Sequence, residues 1–379
     1  MGGIERSLLS LLNKFPSNRF DVTIFVMKLG GELLDELPKG VKVKCIFGYE
    51  KKMLEKLMNY VKNGEIINAF KTFFYTSLMK RGPKSSIDQN VYYSKMLPKE
   101  KPEYDLAIAY YIPTSLSVVY VMNNLKAKKK VAWIHGDVTE YSQSLPKYKE
   151  FYEKYHHIFG VSRYTVRKFG EIFPHLKEKT SLFYNILDKT KIEMSAVDQV
   201  SYDDSFDGFR ILTVGRLEME KGQDLIPNVL SKLLLEGYHV RWYCIGDGLI
   251  RNQLESQIHK YKLEGRLILF GTKENPYPYI KDCDIYIQTS RHEAYCITVA
   301  EARAFNKPII TTNTGASEQI THEETGLIIN FDEHELYEAV KRLIDDKTLR
   351  NKFKKNLSME TVDTSNEIEK LYRIIEGIS

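Results

Sequence analysis

Cysteine is scarce in this chain: four in 379 residues, at positions 45, 244, 283 and 296, with no Cys-x-x-Cys spacing. That excludes a disulfide framework and a zinc ribbon, and points to a reducing cytoplasm. No apolar run approaches the roughly 20 residues that cross a bilayer. Met1-Gly2-Gly3-Ile4-Glu5-Arg6 lacks the apolar stretch of a secretory leader. No repeat or low-complexity tract is visible. Acids are the thinner charge in one half only: residues 1–200 carry 32 Lys and Arg against 21 Asp and Glu, whereas the remainder is net acidic. A basic front half suits an anionic partner such as a membrane surface, a phosphorylated acceptor or nucleic acid. A charge imbalance without a partner is the alternative.

What is present is a soluble composition, 43% hydrophobic and 28% charged, on a chain long enough for two domains. Short β-rich runs alternate with helical patterns: 21–27, 41–47, 105–110, 130–135 and 157–162, then 210–214, 240–245, 267–270, 285–288, 308–311 and 326–329. This rhythm is that of βαβ units and parallel sheets. It pauses over a polar stretch. The expected division is therefore 1–187 as a first domain rejoined by a terminal helix within 360–379, 188–208 as linker, and 209–359 as a second domain. Two doubly wound domains in tandem imply a ligand cleft beyond the carboxyl ends of their strands.

Two segments carry chemistry. Gly215-Arg216 ends a strand and Lys221-Gly222 leads into a helix, so a guanidinium and an ammonium stand where a diphosphate could be neutralised. Downstream, Glu293 and Glu301 flank the start of a helix at Ile297, whose amides near Ile297 and Thr298 favour phosphate. Glu301, one turn in, is placed to accept from ribose hydroxyls, and Glu293 to reach a sugar hydroxyl. Ordinary surface charges are the alternative for either segment taken alone. Asp282-Cys283-Asp284 mimics a metal-binding Asp-x-Asp but reads as a turn entering a strand. Gly246-Asp247-Gly248 is only a partial dinucleotide fingerprint. No metal and no nicotinamide are expected.

Taken together, Gly215-Arg216-Leu217-x-x-x-Lys221-Gly222 and Glu293-x7-Glu301 resemble the retaining glycosyltransferase family 4 of the GT-B fold: two Rossmann-like domains facing a central cleft. The resemblance implies that Arg216 and Lys221 bind the donor diphosphate and Glu293 the donor sugar. It assigns the ribose to Glu301, the phosphate amides to Ile297 and Thr298, and the base to the Gly271-Thr272-Lys273 loop. Ala294-Tyr295-Cys296 stands where the family has Gly-Phe-Gly, with Tyr295 and Cys296 beside the donor. Gly2-Gly3 resembles the family's glycine loop opening the first helix, though no hydrophobic strand precedes it here. His135 resembles the family's cleft histidine, and Asn185 its hinge segment.

The implied activity is transfer of a sugar, with retention, from a nucleotide diphosphate sugar (a UDP-sugar in first place) to a glycan or lipid-linked acceptor in bacterial surface polysaccharide or lipid-linked glycan synthesis. No cofactor or metal and no nucleic acid is implied; the chain would be cytoplasmic, peripheral on the inner face of the membrane. A nucleotide-sugar epimerase and a non-catalytic partner subunit of the same architecture are the rival readings. The segment Lys51–Arg81 mixes bulky apolar and basic residues at helical spacing, either facing the core or resting on anionic lipid.

Overall fold

A computed structural model describes residues 2–16, 18–27, 29–46, 53–82, 85–197 and 201–377. The chain divides into two compact units, Met1–Asn185 with Asn366–Ser379, and Ile186–Ser365.

In the first unit, strands β1 (Thr23–Val26) and β2 (Lys42–Cys45) form a parallel pair. A separate four-stranded parallel sheet runs in the order β3 (Glu103–Tyr111), β4 (Lys126–Ile134), β5 (His157–Gly160), β6 (Thr180–Leu182). The reading of the sequence missed β6, and the expected single sheet is two among the described residues. The core is aromatic. Trp133 packs edge-on against Phe183 at 4.2 Å between centroids. The hydroxyls of Tyr148, Tyr152 and Tyr155, all buried, donate to the carbonyls of Thr114, Pro113 and Val118 at 2.7–2.8 Å. Each ring thus buries its full area without stranding its polar tip. The terminal helix Ile368–Glu376 belongs here: Tyr372 stacks on Phe20 and donates to the Lys14 carbonyl.

The second unit is a six-stranded parallel sheet in the order β12-β11-β10-β7-β8-β9, where β7 is Phe209–Val214, β8 Val240–Ile245, β9 Leu267–Gly271, β10 Ile285–Gln288, β11 Ile309–Thr312 and β12 Gly326–Ile329. Helices cover its faces, which is why the strands read as unbroken apolar runs rather than alternating ones. Ile285, Tyr286 and Ile287 are all fully buried. The order reverses between β7 and β10, paired Ile211 to Ile285. In such sheets the connections on either side of the reversal leave in opposite directions and open a crevice at the strands' carboxyl ends.

The stretch expected as linker packs onto this unit. Asp188 caps the helix Lys189–Ser195 by accepting from the Lys191 amide at 3.0 Å. Asp204 accepts from Arg210 and Arg241 and from the Tyr243 hydroxyl. A further helix, Lys347–Met359, follows Glu333–Asp345 and is capped by Asp346.

Candidate functional site

The segments after β7 and β10, the two strands at the reversal, carry the predicted residues of the second unit except Thr272 and Lys273, which follow β9. Gly215 continues β7, its amide bonded to the Ile245 carbonyl at 2.9 Å. The chain then turns through Met219–Lys221, and Gly222 (φ 69°) reverses it. A Cβ at Gly222 would strike the Thr289 carbonyl and sit 2.6 Å from the Phe331 ring. Only glycine lets the two loops close on each other. Thr289 in turn donates its hydroxyl to the Lys221 carbonyl at 3.0 Å.

Closure brings Lys221 to Glu293, with Nζ 2.8 Å from Oε1. Both side chains are largely buried, at 18% and 11% exposed. Burial would lower the Lys221 ammonium, but the Glu293 carboxylate, with Cys296 and Glu220, overrides it and holds the group above its ordinary value. Glu293 Oε1 also accepts from Ser290 at 3.0 Å, and Ser290 accepts from Gln288 Nε2 at 2.9 Å. Tyr286 donates to Gln288 Oε1 at 3.1 Å. The end of β10 is thus a buried polar chain that fixes one carboxylate and, through it, one cation.

Arg216 is joined to this pair through Glu220, whose Oε1 lies 3.9 Å from Lys221 Nζ. It is mostly exposed and donates to Glu220 Oε1 at 2.8 Å. Arg291 clamps the two loops instead, with both guanidinium nitrogens 2.7 Å from the Asp224 carboxylate and the group 4.1 Å over Phe331. The sequence reading did not assign Arg291.

Helix Ile297–Ala304 starts beside the pair. Its N-cap, Cys296, provides no side-chain acceptor, so the first-turn amides at Ile297 and Thr298 point toward whatever anion is brought there. Cys296 has φ 67°, a left-handed backbone at a side-chain-bearing residue. The position where the resemblance expects glycine thus holds a backbone that glycine adopts without steric cost. The Cys296 thiol is buried, its pKa pushed up to about 12 by desolvation, which leaves it a poor nucleophile. Glu301 is 2% exposed and accepts from the Tyr277 hydroxyl at 3.1 Å. Tyr295 is buried, and its carbonyl and that of Cys296 accept from Gln319 Nε2. The Gly315 amide donates to the Glu293 carbonyl at 2.9 Å, and a Cβ there would strike the Glu293 and Ala294 carbonyls. Gly315 and Gln319, which hold the acid's loop from below, escaped the sequence reading.

Gly271 ends β9 at φ 70° and accepts from the Gly246 amide at 2.9 Å. Lys273, beyond Thr272, lies over the Phe270 and Tyr279 rings. Gly246 and Gly248 are packing glycines: side chains there would strike the Gly215 and Leu217 carbonyls. Asp282 and Asp284 accept from the Ser201 hydroxyl and the Arg210 amide, at 2.6 and 2.9 Å. Among the described residues no cluster of three or more His, Cys, Asp or Glu is arranged to hold a metal.

In the first unit, Gly2 caps helix Gly3–Leu12 in an extended conformation, so its φ does not demand glycine. Ser7 on that helix donates to Asn185 Oδ1 at 2.6 Å and meets the Tyr110 hydroxyl at 2.7 Å. Asn185, read from sequence as interdomain, is in this respect tied to the first helix. His135 follows β4, buried, its ring 4.0 Å from Tyr110 and stacked near Trp133. Desolvation lowers its pKa to about 3. It is therefore a neutral imidazole, able to donate or accept a hydrogen bond but not to carry charge. Its Nε2 has no partner among the described residues.

Residues 204–358, this sheet and its loops, match the family Glycosyl transferases group 1. The chain is 25% identical over 244 residues, 64% of its length, to the N-acetylgalactosamine-N,N'-diacetylbacillosaminyl-diphospho-undecaprenol 4-alpha-N-acetylgalactosaminyltransferase of Campylobacter jejuni, covering 61% of that protein. It is 28% identical over 251 residues to an uncharacterized glycosyltransferase of Methanocaldococcus jannaschii, 60% of either chain. It thus spans about three fifths of the length of these relatives. Among solved structures, HepE of Anabaena in complex with UDP-glucose superposes with a TM-score of 0.71 at 15% identity, covering 100% of this chain and 96% of that one. The fold is GT-B.

Proposed function

We propose that this protein is a glycosyltransferase that moves a sugar, with retention of anomeric configuration, from a UDP-sugar to a hydroxyl of a glycan or lipid-linked acceptor in bacterial surface polysaccharide or lipid-linked glycan synthesis. The observation that carries the proposal is the Lys221–Glu293 pair at the mouth of helix Ile297–Ala304, on the two strands where the sheet order reverses. The group 1 match over the same residues supports it, and nothing in the site or its likenesses favours an epimerase or a non-catalytic subunit.

Departure of a nucleoside diphosphate develops negative charge on its β-phosphate. Lys221 and the Ile297 and Thr298 amides meet that charge, and Arg216 joins them by exchanging Glu220 for phosphate. Glu293, held by Lys221 and Ser290, accepts from a donor-sugar hydroxyl, and Glu301 from the ribose. With cations and amides rather than paired carboxylates around the diphosphate, no metal is needed. Glu293 is already engaged by two donors, which disfavours it as a covalent nucleophile. Attack of the acceptor on the face that the diphosphate leaves accounts for retention without one. His135, in the first unit, is neutral and can hydrogen-bond a hydroxyl without carrying charge.

Incubation with UDP-, GDP- and ADP-sugars tests this. The expected outcome is stabilisation by UDP in thermal unfolding, and release of UDP that requires an acceptor and survives EDTA. The product should keep the donor's anomeric configuration by NMR. Donor isomerisation without acceptor, or no nucleoside diphosphate binding at all, would sink the proposal.

A further inference from the structure

Helix Ile66–Arg81 in the first unit carries an apolar stripe on its outward face. Ala69 and Thr72 face inward, at 8% and 7% exposed, and Thr76 lies against Met96. The bulky apolar residues of its first half face out. Ile66, Ile67, Phe70 and Phe73 are 58–71% exposed, with Phe74 stacked beside Phe70. The spacing, i, i+1, i+4, i+7 and i+8, puts all five on one stripe. Met58 and Val61 on the preceding helix, Met53–Lys62, are exposed as well. A stripe this apolar is costly in water and marks an interaction surface.

The residues around it select the partner. Lys62, Lys71 and Lys80 are exposed on the same two helices, and residues 51–81 hold seven Lys and Arg against two Glu. Protein interfaces are depleted of lysine. A lipid surface combines what this stripe fits: an acyl boundary for phenylalanine and isoleucine, and anionic headgroups for a fringe of ammonium groups. We propose that helix Ile66–Arg81 is a membrane-docking helix that lies in the plane of an anionic bilayer surface with Ile66, Ile67, Phe70, Phe73 and Phe74 inserted below the headgroups. Among the described residues no helix is long and apolar enough to cross a membrane, so this is attachment rather than spanning. The proposal does not rest on the transferase reading, because attachment is measured without any substrate.

The test uses the full chain and vesicles of phosphatidylcholine with about 30% phosphatidylglycerol, an anionic surface, against vesicles of phosphatidylcholine alone. Co-sedimentation should favour the anionic vesicles and weaken as salt rises. The triple variant Ile67→Ser, Phe70→Ser, Phe73→Ser removes only exposed side chains, so it should keep its melting temperature while losing vesicle affinity by on the order of tenfold or more. A second readout comes from the chain's tryptophans. Both, Trp133 and Trp242, are buried, so Phe73→Trp introduces an exposed indole whose emission should shift to the blue and resist acrylamide when anionic vesicles are added. Unchanged binding by the triple variant, an unmoved emission from the Phe73→Trp variant, or a parent chain that ignores both vesicles would each overturn the proposal. So would self-association without vesicle binding that the triple variant abolishes, since a second copy would then be what covers the stripe.

Discussion

Lys221 and Glu293, 72 residues apart in sequence, meet at 2.8 Å because Gly222 and Thr289 let the loops after two adjacent strands touch. The pair is mutually dependent: each charge is largely buried and each is the other's main compensation. Replacing Lys221 with Met should therefore lower stability by about 3 kcal/mol, because it strands a buried carboxylate. Turnover should fall on the order of 100-fold or more through loss of a charge contact to the leaving group. Adding Glu293→Gln should restore much of the stability and none of the turnover. If both recovered together in the double variant, Lys221 would be structural only.

Cys296 holds a positive φ that the protein could obtain at no cost from glycine. Cys296→Ala loses the sulfur's contacts and keeps the strain; Cys296→Gly loses one methyl more but releases it. The glycine variant should be the more stable of the two, by about 1 kcal/mol. Chemical denaturation of both variants decides the sign. An alanine variant that is the more stable would show that the surrounding packing, not the backbone, governs this position.

How much of this was legible beforehand follows from where each partner lies in the sequence. Strands β8, β10 and β12 begin and end where their apolar runs do, because both faces are covered and nothing interrupts the pattern. Strand β6 has three residues, too short to show a period. Helix Lys347–Met359 buries Leu349, Phe353 and Leu357 at four-residue spacing, a pattern present in the sequence but diluted by its many polar residues. In the site, Lys221, Glu293 and Glu301 are readable because their motifs are local. Tyr277, Arg291 with Asp224, Gly315 and Gln319 are not, because only the sheet order brings these residues to the same end of β7 and β10. His135 closes the apolar run 130–135 in the sequence, one residue past the end of β4, but its neutrality comes from burial among neighbours such as Tyr110 and Trp133, which only packing brings onto its ring.

That neutrality has a consequence for stability. The His135 pKa is about 3 in the folded chain against 6.5 for a free side chain, so between those values the unfolded chain binds a proton that the folded chain refuses. Stability from this group is complete above about pH 6.5 and is lost as pH falls. At pH 5 the loss is about 2 kcal/mol, from roughly 1.4 kcal/mol for each unit of pH. Parallel denaturation series on the parent and His135→Asn, at about pH 7.5 and about pH 5, should show the parent losing about 2 kcal/mol more. Equal losses would place the imidazole in a more polar setting than the structure gives it.

Gly315 supports the acid-bearing loop without contacting anything that reacts. Its amide holds the Glu293 carbonyl, and a methyl group at its Cα would press into the carbonyls of Glu293 and Ala294. Its φ is not in the left-handed region, so the penalty of Gly315→Ala is steric displacement rather than backbone strain. The cheapest relief is for the loop to move off by a fraction of an ångström, carrying Glu293 away from Lys221 while the sheet beneath stays folded. Misplacement on that scale costs on the order of 10- to 100-fold in kcat/KM. Gly315→Ala should thus resemble a change at Glu293 in its kinetics, with thermal unfolding disturbed far less than by Lys221→Met. A melting temperature that collapses in step with activity would mean that the Gly315 contact maintains the fold and not the position of the acid.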